Sequence, residues 1–340
     1  MNWLPFQKPF WGIDIGAGSV KVVRLRRTRK GMKLLDIGLK EISTAPEFRQ
    51  EQIATALEEL IHEKKRPTAV INFAGPAPLI RYLTLPVMPK AEMDEAIRWE
   101  AKKLVSIPVE EMLFDYIVAG GTKEKETKRY DLILVGAEKK HLREQWAMMQ
   151  RVGLEIVAID VNPLSLLNTI RMNHGKTPVG NLIYIDLGAV KTDVTILKEG
   201  ILRFTRRLEM GGDQITRRLE REMSLPYEDA EKVKREKGVG TEEGTQSIIK
   251  SEIDRFIVEI QRSIDYYRAQ FREGIFKKMV LMGGGALLPG FSDYVGNYFD
   301  MEIVIDDPFK ELIGTESLGS IRSIAPRFSS GIGLALRSHR

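Results

Sequence analysis

The sequence predicts an α/β fold made by duplication, with two halves of βββαβα type facing each other across a cleft. Three features lead there: a strand–turn–strand signature that occurs twice, an amphipathic helical stretch after each copy, and three consecutive glycines after a late strand. The first copy, Gly12-Ile13-Asp14-Ile15-Gly16-Ala17-Gly18-Ser19-Val20-Lys21-Val22-Val23, is echoed by Tyr184-Ile185-Asp186-Leu187-Gly188-Ala189-Val190-Lys191-Thr192-Asp193-Val194-Thr195. Each is an apolar run, then Asp-x-Gly and a small-residue turn, then a second run rich in β-branched residues. That second run marks a strand. A dinucleotide fingerprint opens a helix directly after its glycines, and a P-loop ends in Gly-Lys-Ser/Thr, which is absent here.

Each copy continues into a third extended run, 32–37 in the first half and 200–204 in the second. Helical patterns follow at 51–65 and 247–272, the latter with a core-facing stripe of Ile249, Ile253, Phe256, Ile257, Ile260, Ile264 and Tyr267. Between residues 86 and 158 lies material without a counterpart in the second half. It reads as a helix at 90–105, strands at 112–119 and 130–136 around a charged tip at 120–129, and a helix at 139–151. The second half has its own smaller helical insertion, 211–237, closed by a Gly/Glu/Thr loop at 239–246.

Among 340 residues, 43% are hydrophobic, enough for two domains with separate cores. Lys and Arg total 52 against 47 Asp and Glu, and the signs alternate along most of the chain, which argues against a nucleic-acid partner. The densest basic stretch, Arg24-Leu25-Arg26-Arg27-Thr28-Arg29-Lys30, reads as surface charge at a strand end. With no cysteine there is neither a disulfide framework nor a thiol site. No run approaches 18 apolar residues and no signal peptide is evident, so a cytoplasmic protein is expected. The aromatic-rich start, with Trp3, Phe6, Phe10 and Trp11, reads as a leader strand packed on the body, since its prolines interrupt any amphipathic helix.

Two Asp-x-Gly hairpins facing each other make a triphosphate clamp. Gly16, Ala17 and Gly18 in one turn, and Gly188 and Ala189 in the other, let backbone N–H groups approach phosphate oxygens unobstructed. Asp14 and Asp186 would face Mg²⁺ through its retained waters, because that ion sheds water reluctantly. Ser19 and Lys21 add a hydroxyl and a point charge to the first turn, and Thr192 a hydroxyl to the second. The strand 278–282 followed by Gly283, Gly284, Gly285 and Ala286 offers a bare ledge for adenine and ribose. Gly211, Gly212 and Asp213, with Glu231 and Lys234 one turn apart on the next helix, could close over the nucleoside. Capping and exposed charge account for them equally well.

The order of these motifs resembles the two phosphate motifs and the adenosine motif of the actin, sugar kinase and heat-shock ATPase superfamily. Within it the chain is similar to the PilM family of type IV pilus assembly proteins, and more distantly to FtsA. The stretches that carry the likeness include Arg81-Tyr82-Leu83-Thr84-Leu85-Pro86, Ala96-Ile97-Arg98-Trp99-Glu100-Ala101, Asp160-Val161-Asn162-Pro163, Gly283-Gly284-Gly285-Ala286-Leu287-Leu288-Pro289-Gly290 and Gly331-Ile332-Gly333-Leu334-Ala335. The resemblance implies an actin-like (ribonuclease H-like) two-domain fold with an FtsA/PilM-type inserted α+β subdomain. Its first core subdomain would be 1–85 with 159–177 and 328–340, and its insertion 86–158. The second core subdomain would be 178–208 with 247–327, and a helical insertion 209–246 would lie over the nucleotide. It also implies ATP and Mg²⁺ as cofactors. The implied partner is the cytoplasmic N-terminal peptide of PilN, an inner-membrane protein, held in a groove beside the insertion. Other platform and motor components would follow, and the membrane would be reached only through partners. Consistent with that, the chain ends at Arg340 without the amphipathic tail of FtsA.

Two departures from the superfamily matter. Where a Glu, Gln or Asp commonly orients the attacking water, this chain has Asn162, a shorter amide and a very weak base, which implies slow or absent ATP turnover. Lys191 stands where a small or hydroxylated residue is usual. On the inserted helix, Met93, Ala96, Ile97, Ala101 and Leu104 form one stripe and Trp99 lies well off it, either facing a partner or packed under a loop. His62, His141, His174 and His339 lack metal-ligand spacing. Three functions remain on these grounds: an ATP-gated scaffold of pilus assembly, an FtsA-like or actin-like filament former with self-association, and a small-molecule kinase, for which no catalytic aspartate is found.

Overall fold

The chain folds as two five-stranded mixed sheets with a three-stranded sheet set to one side. The computed structural model describes residues 9–45, 49–63, 66–124, 127–175, 180–240, 244–272, 274–316 and 318–337. Residues 1–8 of the expected leader, 125–126 of the expected charged tip, 241–243 of the expected Gly/Glu/Thr loop, and His339 lie outside them.

The first repeat folds as the meander β1 (Trp11–Ile15), β2 (Ser19–Thr28) and β3 (Gly31–Glu41), followed by α1 (Arg49–Leu60) and β4 (Thr68–Asn72). β1 is buried at every position: β2 pairs with it antiparallel on one side and β4 parallel on the other, and its Trp11, Ile13 and Ile15 side chains share a core with Ile53 and Leu57 of α1. Next come β5 (Leu79–Pro86), α2 (Lys90–Lys102), β6 (Met112–Glu124), β7 (Thr127–Glu138), α3 (Lys139–Arg151), β8 (Glu155–Asp160) and α4 (Asn162–His174). The first sheet has the order β3-β2-β1-β4-β8, and the side sheet β5-β7-β6.

Three sequence boundaries move as a result. β5 was expected to close the first core, but it pairs with β7 from Leu79↔Gly136 to Pro86↔Arg129 and so belongs to the inserted sheet. α3 and the first four residues of β8 were expected in the insertion. Instead Met148, Met149 and Leu154 share a core with Trp11, Ile13 and Leu57, and β8 pairs parallel with β4. The strands also run further into the charged tip than expected, since the β6–β7 ladder continues to Glu124↔Thr127. Charge periodicity reports solvent exposure and is blind to backbone pairing, so it does not mark where a strand ends.

The second repeat gives β9 (Asn181–Leu187), β10 (Thr192–Lys198) and β11 (Ile201–Leu208), then α5 (Gly212–Met223), α6 (Tyr227–Lys237) and α7 (Thr245–Phe271). It ends with β12 (Phe276–Met282), α8 (Phe291–Phe299) and β13 (Glu302–Ile305), before a 3-10 segment Gly319–Phe328 and α9 (Ser329–Arg337). The sheet order β11-β10-β9-β12-β13 mirrors the first. The seven apolar residues predicted to line α7 are all buried against this sheet, each contributing about 1.5–3 kcal/mol of burial.

The closing helix α9 returns to the first half and lies between β1 and α4. Small residues permit this: a Cβ on Gly12 would come 2.3 Å from the Gly331 carbonyl oxygen, and one on Gly333 would come 1.9 Å from that of Ser165. The Asn168 Nδ2 donates to the Gly333 carbonyl at 2.9 Å and the Thr169 hydroxyl to the Ser329 carbonyl at 2.7 Å, so these two buried polar side chains of α4 find their partners on α9.

Candidate functional site

The β1–β2 and β9–β10 turns meet at the mouth of a cleft of about 800 Å³ between the halves. They approach closely, for a Cβ on Gly18 would sit 3.2 Å from that of Ala189. Each turn is closed by the same bond, from Gly16 N to Ser19 O in one and from Gly188 N to Lys191 O in the other, both 3.0 Å. Arg49 clamps the first turn by donating to the Ala17 and Gly16 carbonyls at 2.8 and 2.7 Å. Among the described residues, the N–H groups of Ala17, Gly18, Ala189 and Val190 have no protein acceptor, which leaves four backbone donors for an anion at the cleft mouth.

Below the turns, the two repeats differ at one equivalent position. In the first, Lys21 stands opposite Asp14 across β1 and β2, with its Nζ 3.0 Å from the carboxylate. In the second, that place is taken by Asp193, opposite Asp186 across β9 and β10. Two carboxylates side by side repel, and two side chains relieve them. Asn162, at the start of α4, donates its amide to Asp186 at 2.5 Å and to Asp193 at 3.0 Å. Arg207, opposite Asp193 on β11, pairs with it through Nε and Nη2 at 2.9 and 3.1 Å. Burial pushes the Asp186 carboxyl up to about 6, against the Asn162 hydrogen bond, with the charges of Asp193 and Asp14 adding to the rise and Lys21 opposing it. In the first half Asn72 donates to Asp14 at 2.9 Å and accepts from Ile15 N at 2.8 Å.

The carboxylates on the cleft floor, Asp14, Asp186 and Asp193, are hard oxygen donors that suit Mg²⁺, and Asn72 and Asn162 orient them through N–H hydrogen bonds. Among the described residues no three His, Cys, Asp or Glu side chains come close enough to form a direct metal cage. That spacing suits an ion kept in its water shell, with the carboxylates hydrogen-bonded to the waters.

The other expected residues separate into those at the cleft and those away from it. Gly283, Gly284 and Gly285 line it, with Gly283 at φ +79 and pressed against the Leu187 carbonyl, where a Cβ would come within 2.4 Å. Ser19 also lines it and accepts from Arg327 at 3.1 Å, while Arg327 is held by Glu41. Lys191 lines the second turn. Ala286 instead packs in the core of the second half. Thr192 faces away from the cleft and gives its hydroxyl to the Met210 carbonyl at 2.8 Å, because strand side chains alternate and its neighbour Asp193 takes the cleft side. Gly211 is a packing position, where a Cβ would meet the Ala189 and Gly188 carbonyls within 2.7 Å. The α5 N–H groups of Gly212 and Asp213 donate to those carbonyls, so this helix end braces the second turn.

Asp213 accepts from Thr44 at 2.9 Å, Tyr227 at 2.7 Å and Arg217 at 2.7 Å, and thereby ties the helical insertion to the first half across the cleft. Buried Lys234 directs its ammonium to Gly212 O, Thr216 Oγ1 and Glu231 Oε2, occupying all three donors. Both Glu231 and Lys234 form part of the cleft wall. Asn72, Arg49, Asp193, Arg207 and Arg327 escaped the sequence reading. Only Asp193 carried a signal, its equivalence to Lys21 in the repeat.

A second cavity of about 460 Å³ lies between the insertion and β11. Apolar residues of β5 and of the segment after α2, with Arg81, Arg206 and Arg207, form its walls. Trp99 is 62% exposed on the outer face of α2, with Lys103 over its ring, so it is not packed under a loop.

Comparison with known proteins places this architecture. The profile of the family described as "Type IV pilus assembly protein PilM" matches residues 12–339. The cell division protein FtsA of Neisseria meningitidis is 25% identical over 281 residues, which span 72% of this chain and 66% of that protein. The structure described as a "PilM-PilN type IV pilus biogenesis complex" superposes with a TM-score of 0.85 at 22% identity, covering 97% of this chain and 98% of that one. MreB5 of Spiroplasma citri, solved with AMPPNP, superposes at 0.53 and 11% identity over 97% of this chain and 95% of that one. The fold is therefore the actin-like two-domain α/β fold. No helix among the described residues is long and apolar enough to cross a membrane.

Proposed function

Because the chain belongs to the PilM family of type IV pilus assembly proteins, we propose that it is an adaptor gated by ATP and Mg²⁺. In this reading the cleft binds the nucleotide, and the lateral groove receives the cytoplasmic N-terminal peptide of a PilN-like inner-membrane protein. The observation that carries it is the pair of facing turns with unpartnered backbone donors above Asp14, Asp186 and Asp193. Ala17, Gly18, Ala189 and Val190 would bind the polyphosphate, and Lys21 would add a charge at its first turn. Gly283, Gly284 and Gly285 would bear the nucleoside, with Glu231 and Lys234 closing the opposite wall. When bound, Mg²⁺ supplies the positive charge that lets phosphates approach three carboxylates. Asn162 supports slow or absent hydrolysis, since its amide hydrogens are engaged by Asp186 and Asp193 and its carboxamide is too weak a base to activate water. Peptide binding would hold the protein at the inner face of the membrane and connect it to the platform and motor.

Titration calorimetry of the PilN-type peptide with ATP and Mg²⁺ present tests the whole reading. Saturable binding that weakens in Asp186→Ala is expected; a peptide that never binds while ATP does would remove the pilus role. A second reading, self-association into filaments, draws support from the exposed Trp99 face and the FtsA relatives. Sedimentation at high protein concentration with and without ATP separates the two.

The pH dependence follows from Asp186. Cation binding needs its ionised form, so Mg²⁺–nucleotide affinity should fall as pH drops through about 6, by up to about tenfold per pH unit below it. The unliganded protein should behave oppositely. Its folded-state value is raised, so protonation stabilises it fully below the ordinary value of 3.8, and that stabilisation is lost as pH rises through about 6. Affinity that stays flat from pH 5 to 8, an interval of about three units around that value, would remove Asp186 from the ion's shell.

A further inference from the structure

Asp186, Asp193 and Arg207 are direct cross-strand neighbours on β9, β10 and β11, so they form one row across the second sheet. The row starts in the cleft and ends in the lateral groove: Asp193 and Arg207 line both cavities, whereas Asp186 lines the cleft alone. Phe73 is the third residue that lines both spaces. Asp193 and Arg207 are 7% and 13% exposed, so their mutual charge is weakly screened by water.

We propose that the Asp193–Arg207 ion pair couples the two cavities, so that a peptide in the groove tightens Mg²⁺–nucleotide binding in the cleft, and the reverse. This rests on the reading that the groove takes the peptide and the cleft the nucleotide. The sign follows from charge. An occupant of the groove that offers Arg207 a carbonyl or carboxylate oxygen competes with Asp193 for the guanidinium. Asp193 then turns more of its negative charge toward Asp186 and the cleft floor, where a hydrated dication is favoured. Conversely, a dication in the cleft draws on Asp193 and loosens its hold on Arg207, leaving that guanidinium freer for the groove. Asn162 keeps Asp193 in register with Asp186 throughout, as its amide bridges both. Linkage requires the two effects to be equal.

The backbone of β11 gives the groove a second tie. Arg203, four residues before Arg207 on β11, stacks over Tyr82 of β5 with its guanidinium 4.5 Å from the ring and lies 4.0 Å from Asp131 of β7. The insertion is therefore anchored to the strand that carries the ion pair.

The test is the affinity of a fluorescent ATP analogue with Mg²⁺, measured on the full chain without peptide and with saturating PilN-type peptide. The wild type should bind about 5- to 150-fold more tightly with peptide, the range typical of coupled sites. In Asp193→Asn/Arg207→Gln, which keeps a hydrogen-bonded pair but removes both charges, the ratio should fall to within about twofold of unity, the error of such cycles. The same collapse is expected when Mg²⁺ is omitted. Arg207→Lys provides a second variant that retains a cation in the row and should keep part of the coupling; melting curves establish that both variants are folded. A wild-type ratio near unity with both ligands bound overturns the proposal, as does a ratio unchanged in the double variant or without Mg²⁺. If the peptide's own isotherm shows no binding, the groove reading fails first and the coupling falls with it.

Discussion

Gly12→Ala is expected to leave the first half unable to fold around its closing helix. A methyl at this position would lie 2.3 Å from the Gly331 carbonyl oxygen and 2.4 Å from the Ala335 backbone nitrogen. These are backbone atoms of α9, so no side chain can swing aside; the whole helix must lift from β1. Lifting it breaks the packing of Phe328, Ile332 and Ala335 on Val23 and Leu25, and strains the bonds from Asn168 and Thr169 to α9. A cost of at least about 3 kcal/mol is expected, the severe end of overpacking and a large share of a domain's stability. Gly331→Ala is the control. Its new methyl would crowd a single side-chain atom, Val23 Cγ2, at 3.2 Å rather than backbone at 2.3 Å, and should cost about 1 kcal/mol. Thermal melts of the two variants check the argument, and a Gly12→Ala protein that melts with the wild type would show that α9 is not seated on β1 as described.

Asp186→Asn should separate binding from stability. Removing the carboxylate deprives a hydrated cation of a charged acceptor worth about 1.5–3 kcal/mol, so Mg²⁺–nucleotide affinity should fall roughly 10- to 100-fold. The unliganded protein should become more stable at pH 8, by about 1–3 kcal/mol, because a carboxyl pushed up to about 6 carries its charge there at a cost. An asparagine can still accept the Asn162 hydrogen bond, so the interior is not left unpaired. Loss of affinity with an unchanged or lowered melting temperature would mean that the Asp186–Asp193 pair is not under electrostatic stress. A gain in stability without loss of affinity would exclude Asp186 from the cation's shell. The pH profile of the wild type reads the same group independently, and the two experiments must agree.

How far the sequence reached depended on whether a feature is local. The strand–turn–strand repeats, the α7 stripe and the glycine turn after β12 are encoded by short-range periodicity and by residues that only a tight turn tolerates, and the elements formed where expected. The duplicated α/β architecture and the family could be read from the order of those motifs. Sheet membership could not. The pairing of β5 with β7 and of β8 with β4 joins residues 43 to 88 positions apart, and no local pattern specifies a partner. The same limit applied in the site. Asp14, Asp186 and the glycines announce themselves in the turns, but Thr192 and Asp193 differ only in the face of the strand they occupy, and the register of β10 against β9 and β11 decided which one meets the cleft. Likewise Asn162 was legible as the residue at a position of interest, whereas its bond to two carboxylates arose only when α4 and the second sheet came together. By itself the sequence determined the elements, their duplication and the chemistry of the turns, because those depend on neighbours along the chain. Tertiary structure alone decided which charges share a row, which cavities share a wall and where α9 closes the first half, because those depend on contacts between segments that are distant in sequence.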